Sequence, residues 1–165
     1  MIVSSATEFV EYWIGFRKRT RRAAEVIPVD RLEWRPAEGK WTMGDIVRHL
    51  AAIERFMFAE NARRRPSTYP GHDRAQADGK DAVLAYHDSL HAESVGIFAA
   101  LTPEDLARKC TTPAGIEITV WKWLRAMVEH EAHHRGQIHL LLGLIGRPAP
   151  PLFGLTEEEV RERSR

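Results

Sequence analysis

The sequence predicts an all-α fold, a four-helix bundle with short extra helices in the connectors and at the C-terminus. Three observations predict it. Apolar residues recur three and four apart over four long segments, those segments carry helix start and stop signals, and neither a run of alternating strands nor an internal repeat is present. At 165 residues the chain can bury one core without a disulfide or another staple, so residues 1–165 are expected to form a single domain.

The first helix opens at Ser5, with Glu8 three residues on, and runs to about Ile27 before Pro28. At about 100° per residue, Phe9, Tyr12, Trp13, Phe16, Thr20, Ala23 and Ile27 share one side of it. The connector Val29 to Lys40 contains Trp34, Pro36 and Gly39 and reads as irregular. In the second helix Thr42 is the N-cap, Asp45 stands at N3 and Trp41 can staple onto Ile46. It should continue to about Arg63 and bury Ile46, Leu50, Ile53 and Met57. Arg64 to Gly79 is a loop marked by Pro66, Pro70 and Gly71. The third helix, Asp81 to Leu101, should bury Val83, Tyr86, Leu90, Ile97 and Leu101. Thr102-Pro103-Glu104-Asp105 caps a short turn of helix, and Cys110 to Glu117 is a loop with room for an extended piece. The fourth helix spans Thr119 to Ile145 and stops at Gly146 and Pro148; Thr156 and Glu159 open a short charged helix. Two of the loops are longer than bundle helices usually need, which points to crossovers or to segments covering a site.

Composition excludes several classes. One cysteine cannot close an intrachain disulfide, which favours a reducing, cytoplasmic setting. The segment Met1 to Phe16 is broken by Ser4, Ser5, Glu8 and Glu11 and lacks a signal-peptide apolar core; no apolar run approaches the roughly 20 residues of a membrane span. A net charge of +1 provides no field for nucleic acid. The basic clusters Arg17-Lys18-Arg19-Thr20-Arg21-Arg22 and Arg63-Arg64-Arg65 lack interleaved aromatics and read as solvated helix faces.

Chemistry is concentrated in eight histidines. Imidazoles at i and i+4 on a helix can share one ion. His130 and His134 have that spacing, and so do His87 and His91. The helical wheel separates the two pairs. Val120, Met127, Ile138 and Ile145 define the buried side of the fourth helix; His134 lies within roughly 30° of it, His130 on the same shoulder, and His133 nearly opposite. On the third helix His87 is roughly 60° and His91 roughly 100° from the apolar centre, which puts that pair at the surface or rim. A metal needs further ligands from another element, and His49, on the shoulder beside Ile46, Ile53 and Phe56, is the candidate. Glu131 lies on the centre line of the buried stripe, where an unpaired carboxylate is costly. It could orient a ligand histidine, bind the ion, act as a base, or pair with a basic side chain from another helix.

His130-Glu131-Ala132-His133-His134 satisfies the HExxH pattern of zinc proteases. Its continuation does not fit the metzincins: Gln137 stands where their glycine should be and Leu140 where their third histidine should be. No strand is evident to align a peptide.

A second reading covers nearly the whole chain. Leu32-Glu33-Trp34-Arg35-Pro36, then Gly39-Lys40-Trp41-Thr42-Met43-Gly44-Asp45-Ile46 and His49-Leu50, resembles the connector and second helix of the DinB/YfiT-like superfamily of metal-binding four-helix bundles. The segment Trp121 to Ile138, ending His130-Glu131-Ala132-His133-His134-Arg135-Gly136-Gln137-Ile138, resembles its fourth helix. The resemblance places the family's metal-binding histidines on His49, His130 and His134. It implies a divalent ion, commonly zinc or nickel, with open positions for water or a small-molecule substrate. Some members transfer bacillithiol, mycothiol or glutathione to an electrophile, so a thiol-dependent S-transferase is one expectation; Arg48, Arg55 and Arg135 would then be candidates to meet the thiol's anionic groups. A metal-dependent hydrolase is the alternative, and a non-catalytic metal-binding or stress-response interaction protein is a third. The resemblance also implies a homodimer formed through bundle helices.

Overall fold

The structure is a computed structural model that describes residues 3–164; residues 1, 2 and 165 of the expected domain lie outside the described residues. It is mostly helical. The bundle consists of α1 (Ala6–Glu25), α2 (Met43–Ile53), α4 (Lys80–Ala99) and α6 (Val120–Leu144). A π turn (Glu54–Phe58) and α3 (Ala59–Ala62) extend α2 without a break. The connectors add a 3-10 turn (Val29–Arg31), the short helix α5 (Pro103–Ala107) and strands β1 (Lys109–Thr111) and β2 (Glu117–Thr119); α7 (Glu157–Arg163) follows the bundle. The strands form an antiparallel hairpin with Cys110 opposite Ile118. Among the described residues no helix is long and apolar enough to cross a membrane.

The helix boundaries follow local chemistry. Thr42, Thr102 and Thr156 each accept the N3 backbone N–H while the N3 carboxylate accepts theirs, so α2, α5 and α7 begin in full capping boxes. The end of α6 is set by Gly146 at φ +69°, where its N–H reaches Gly143 and the Arg147 N–H reaches Leu142, closing the last carbonyls.

Both α1 and α2 pack chiefly against α4 and α6, which places α1 diagonal to α2 and α4 diagonal to α6. The connectors from α1 to α2 and from α4 to α6 span these diagonals and are long for that reason. The connector between Arg63 and Lys80 instead joins the neighbours α2 and α4, and its length forms the loop that carries Tyr69 and His72. Two apolar clusters fill the interior. One gathers Phe9, Trp13, Phe16, Phe58, Phe98, Leu124 and Met127; the other gathers Ala23, Ile27, Ile46, Leu50, Val83, Ile138 and Leu142. Fully burying a large side chain such as Trp13 or Ile138 contributes about 1.5–3 kcal/mol. A polar belt of Arg17, Thr20, Glu54, His87 and Glu131 is buried in the same interior.

Several faces differ from the sequence-based expectation. Tyr12 is 43% exposed, although the wheel puts it with the core. The buried stripe of α4 is Val83, His87, Leu90, Ser94 and Phe98, so its centre is rotated away from Tyr86 and Ile97. His87 is therefore 1% exposed rather than at the rim. Its Nδ1 stands 3.0 Å from Asp88, and burial lowers its pKa to about 4. Arg17 belongs to no solvated face: it is 1% exposed.

Candidate metal centre

The site begins with the start of α2. The Thr42 box fixes the first turn, and His49 follows nearly two turns later, facing inward. His130 and His134 occupy successive turns of α6. The structure brings the three together: one ring nitrogen from each lies within 4.8 Å of the others, and the Nε2 atoms of His49 and His130 are 3.1 Å apart. His133 is exposed, as the wheel predicts.

The environment keeps these rings neutral. Burial, reinforced by mutual repulsion among His49, His130, His134 and His72, drives His49 down to about 3; burial likewise lowers His130 to about 4 and lowers His134. Neutral imidazole is the ligand form, so the pocket that rejects protons suits a metal cation. Tautomers are set from the far side of each ring. Gln137 Oε1, which can only accept, is 2.7 Å from His134 Nδ1; that nitrogen must carry the proton, and Nε2 is left bare. His49 Nδ1 lies 2.8 Å from the Tyr69 hydroxyl, which is also 2.8 Å from His72 Nδ1. Burial pushes the Tyr69 phenol up to about 12, so it stays protonated. Trp41 roofs the cluster, its ring nearly parallel to His134 at 5.6 Å and 4.1 Å from His72 between centroids.

These donors fit a divalent ion: three neutral nitrogens from two helices, each with its second nitrogen hydrogen-bonded or free to be, and among the described residues no fourth cysteine, histidine or carboxylate joins them. Beside them lies a cavity of about 530 Å³, walled by Pro36, Trp41, Ile46, Leu140 and Leu141, with His134, Gln137 and Lys40 as its polar lining.

Glu131 is buried but turned elsewhere. Its carboxylate takes a short ion pair with Arg17, which also reaches Glu54 at 3.2 Å. Of the roles open to Glu131, pairing with a basic side chain from another helix is the one this geometry displays. Trp13 Nε1 and His91 Nδ1 donate to Glu54 at 2.8 and 2.9 Å. Burial raises the Glu131 carboxyl. At Glu54 burial acts the same way, but Arg17, His91 and Trp13 outweigh it and hold that carboxyl low.

The three arginines considered for anion binding are engaged. Arg48 is fully buried on Glu33 and Asp45, Arg55 pairs with Glu60 and Glu93, and the Arg135 guanidinium lies 4.4 Å over the Phe16 ring. Sequence reasoning missed Tyr69 and His72, which sit in a loop without periodicity; a tyrosine and a histidine flanking Pro70-Gly71 in an overlong connector were the available signal. It also missed that Trp41 packs on His49, His72 and His134.

Known proteins share this architecture. The Bacillus subtilis protein YjoA is 25% identical over 151 residues, covering 90% of this chain and 96% of its own. The crystal structure of YjoA, described as DinB-like, superposes with a TM-score of 0.68 over 87% of this chain and 96% of its own, at 21% identity. A DinB-like protein from Bacillus cereus gives 0.75 over 90% and 97%, at 18% identity. YfiT from Bacillus subtilis, described as a probable metal-dependent hydrolase with an unusual four-helix bundle topology, gives 0.71 over 89% and 91%, at 19% identity. The family model of the DinB superfamily matches residues 13–138, a stretch that contains both the His49 and the His130–His134 segments. The chain belongs to the DinB superfamily.

Proposed function

We propose that this protein is a metal-dependent hydrolase in which His49, His130 and His134 hold one divalent ion; neutral imidazoles suit zinc, nickel, copper or iron, and the family resemblance favours zinc or nickel. One observation carries the reading: three neutral imidazoles converge, without a fourth side-chain ligand among the described residues, at the edge of an apolar cavity. An ion bound there supplies Lewis acidity and a nucleophile usable at neutral pH. The chain's own groups do the rest. Gln137 and Tyr69 hold His134 and His49 in orientation. Trp41, Ile46 and Leu141 exclude water from one side, and Lys40 offers a cation to an anionic end of an otherwise apolar substrate.

The description of YfiT as a probable metal-dependent hydrolase supports hydrolysis over thiol transfer. So does the engagement of Arg48, Arg55 and Arg135 in internal contacts, which leaves Lys40 as the cation lining the cavity. The test is to load the protein with one equivalent of zinc or nickel and assay two panels. One contains esters and amides with apolar bodies. The other pairs an electrophile with bacillithiol, mycothiol or glutathione. Cleavage without added thiol supports the proposal. Conjugate formation alone moves the assignment to S-transfer, stoichiometric metal with no turnover moves it to a binding role, and failure to bind a stoichiometric ion overturns all three.

A further inference from the structure

We propose that Tyr69 and His72 form a positioning strap for the metal centre: the Tyr69 hydroxyl, shared between two imidazoles, couples the tautomer of His72 to that of His49. The inference rests on the metal-binding reading of His49, His130 and His134.

The connector that carries the strap is held in place at both ends. It leaves α3 through Arg64, whose φ of +61° turns the chain, and Asn61 clasps the Arg65 carbonyl at 2.9 Å. Farther on, the buried Arg48 donates to the Ala77 carbonyl at 2.8 Å and the His72 carbonyl at 3.4 Å. Arg48 immediately precedes His49, so one helix turn fixes both the ligand ring and the loop that meets it. Trp41 packs on His72 and on His49, with centroids 4.1 and 4.8 Å away.

A phenol carries one proton. With an imidazole nitrogen 2.8 Å away on each side, Tyr69 donates to one ring and accepts N–H from the other. Two arrangements satisfy it. In the first, His49 Nδ1–H donates to Tyr69, Tyr69 donates to His72 Nδ1, and His72 carries its proton on Nε2. In the second every direction is reversed: His72 Nδ1–H donates to Tyr69, Tyr69 donates to His49 Nδ1, and His49 carries its proton on Nε2, facing His130 at 3.1 Å. Each ring holds one N–H in both, so the strap neither gains nor loses a proton. Only the first leaves His49 Nε2 bare. A cation on that nitrogen therefore selects the first arrangement and places the His72 proton on Nε2. Outer partners of this kind typically change metal affinity by about 10–100-fold.

Zinc affinity, measured by competition with a chromophoric chelator, should fall about 10–100-fold in Tyr69→Phe, which removes the acceptor for His49 Nδ1–H. His72→Ala should weaken zinc binding in the same direction. His72→Asn, whose side-chain oxygen can stand near the position of Nδ1, should restore most of it. Circular dichroism and melting of the metal-free variants confirm that they fold; if Tyr69→Phe does not, the His72 pair decides. Histidine two-bond proton–nitrogen correlation spectra of the wild type with zinc should show His49 protonated on Nδ1 and His72 on Nε2, a readout that a loop with a merely structural role would not fix. Wild-type affinity in both Tyr69→Phe and His72→Ala, or a zinc-loaded His72 protonated on Nδ1, overturns the strap. Retention of wild-type zinc binding by His134→Ala would instead overturn the triad beneath it, and the two failures are thereby distinct.

Discussion

At the scale of the residue, what distinguishes His134 from His133 is the partner of its second nitrogen and its shelter from water. Its Nδ1–H is committed to Gln137, and its ring centroid stands 4.8 and 4.5 Å from those of the neutral His49 and His130. Replacing His134 with alanine should abolish stoichiometric zinc binding, measured by equilibrium dialysis, while far-UV circular dichroism retains most of the helicity. Arg17 presents the opposite logic. One guanidinium serves two carboxylates that are 1% and 2% exposed, and removing it leaves both without their cation. Arg17→Met should therefore destabilise the protein by about 3–5 kcal/mol in urea unfolding. The triple variant that also carries Glu54→Gln and Glu131→Gln should recover part of that loss, because the uncompensated charges are gone.

At the scale of the element, α2 carries the site because its first turn admits a second segment against it. A Cβ on Gly44 would lie 2.7 Å from the Glu33 carboxylate and 3.1 Å from Leu32, both in the connector folded over the helix start. That close approach lets the Gly44 N–H reach the Leu32 carbonyl at 2.8 Å and lets Glu33 meet Arg48 and Thr42. Alanine is the better helix former, so an exposed helical glycine would gain from the change. Here crowding wins: Gly44→Ala should cost about 1–3 kcal/mol. Thermal melting should show the loss, whereas the same change at Gly136, where a Cβ meets nothing within 4 Å, should stabilise the protein. The π turn at Glu54–Phe58 is a second element-scale device. It carries Glu54, whose carboxylate meets Arg17 from α1 and His91 from α4.

At the scale of the whole molecule, the interior keeps histidines neutral, and stability should follow pH accordingly. His49, His130 and His87 are lowered from 6.5 to about 3, 4 and 4, so the unfolded chain binds protons at a higher pH than the folded one. Their contribution is present in full above pH 6.5 and is lost as pH falls through 6.5 toward 3–4. Metal-free protein should show its urea midpoint dropping between pH 7 and 5, and zinc should steepen the drop because protons compete for the same nitrogens. A midpoint flat across that range would contradict the neutral cluster. Much of this molecule was legible in its sequence. Capping boxes at Thr42, Thr102 and Thr156, the stop at Gly146 and the three-and-four spacing depend on neighbours within a turn or two, and such local rules set the helices of the bundle and the inward turn of His49, His130 and His134. The diagonal placement of α1 and α2, the burial of Arg17 and His87, and the return of Tyr69, His72 and Trp41 over His49 were decided only by tertiary structure. Those features pair residues far apart in the chain, and a polar side chain's place is set by the partner that meets it, which no local period encodes.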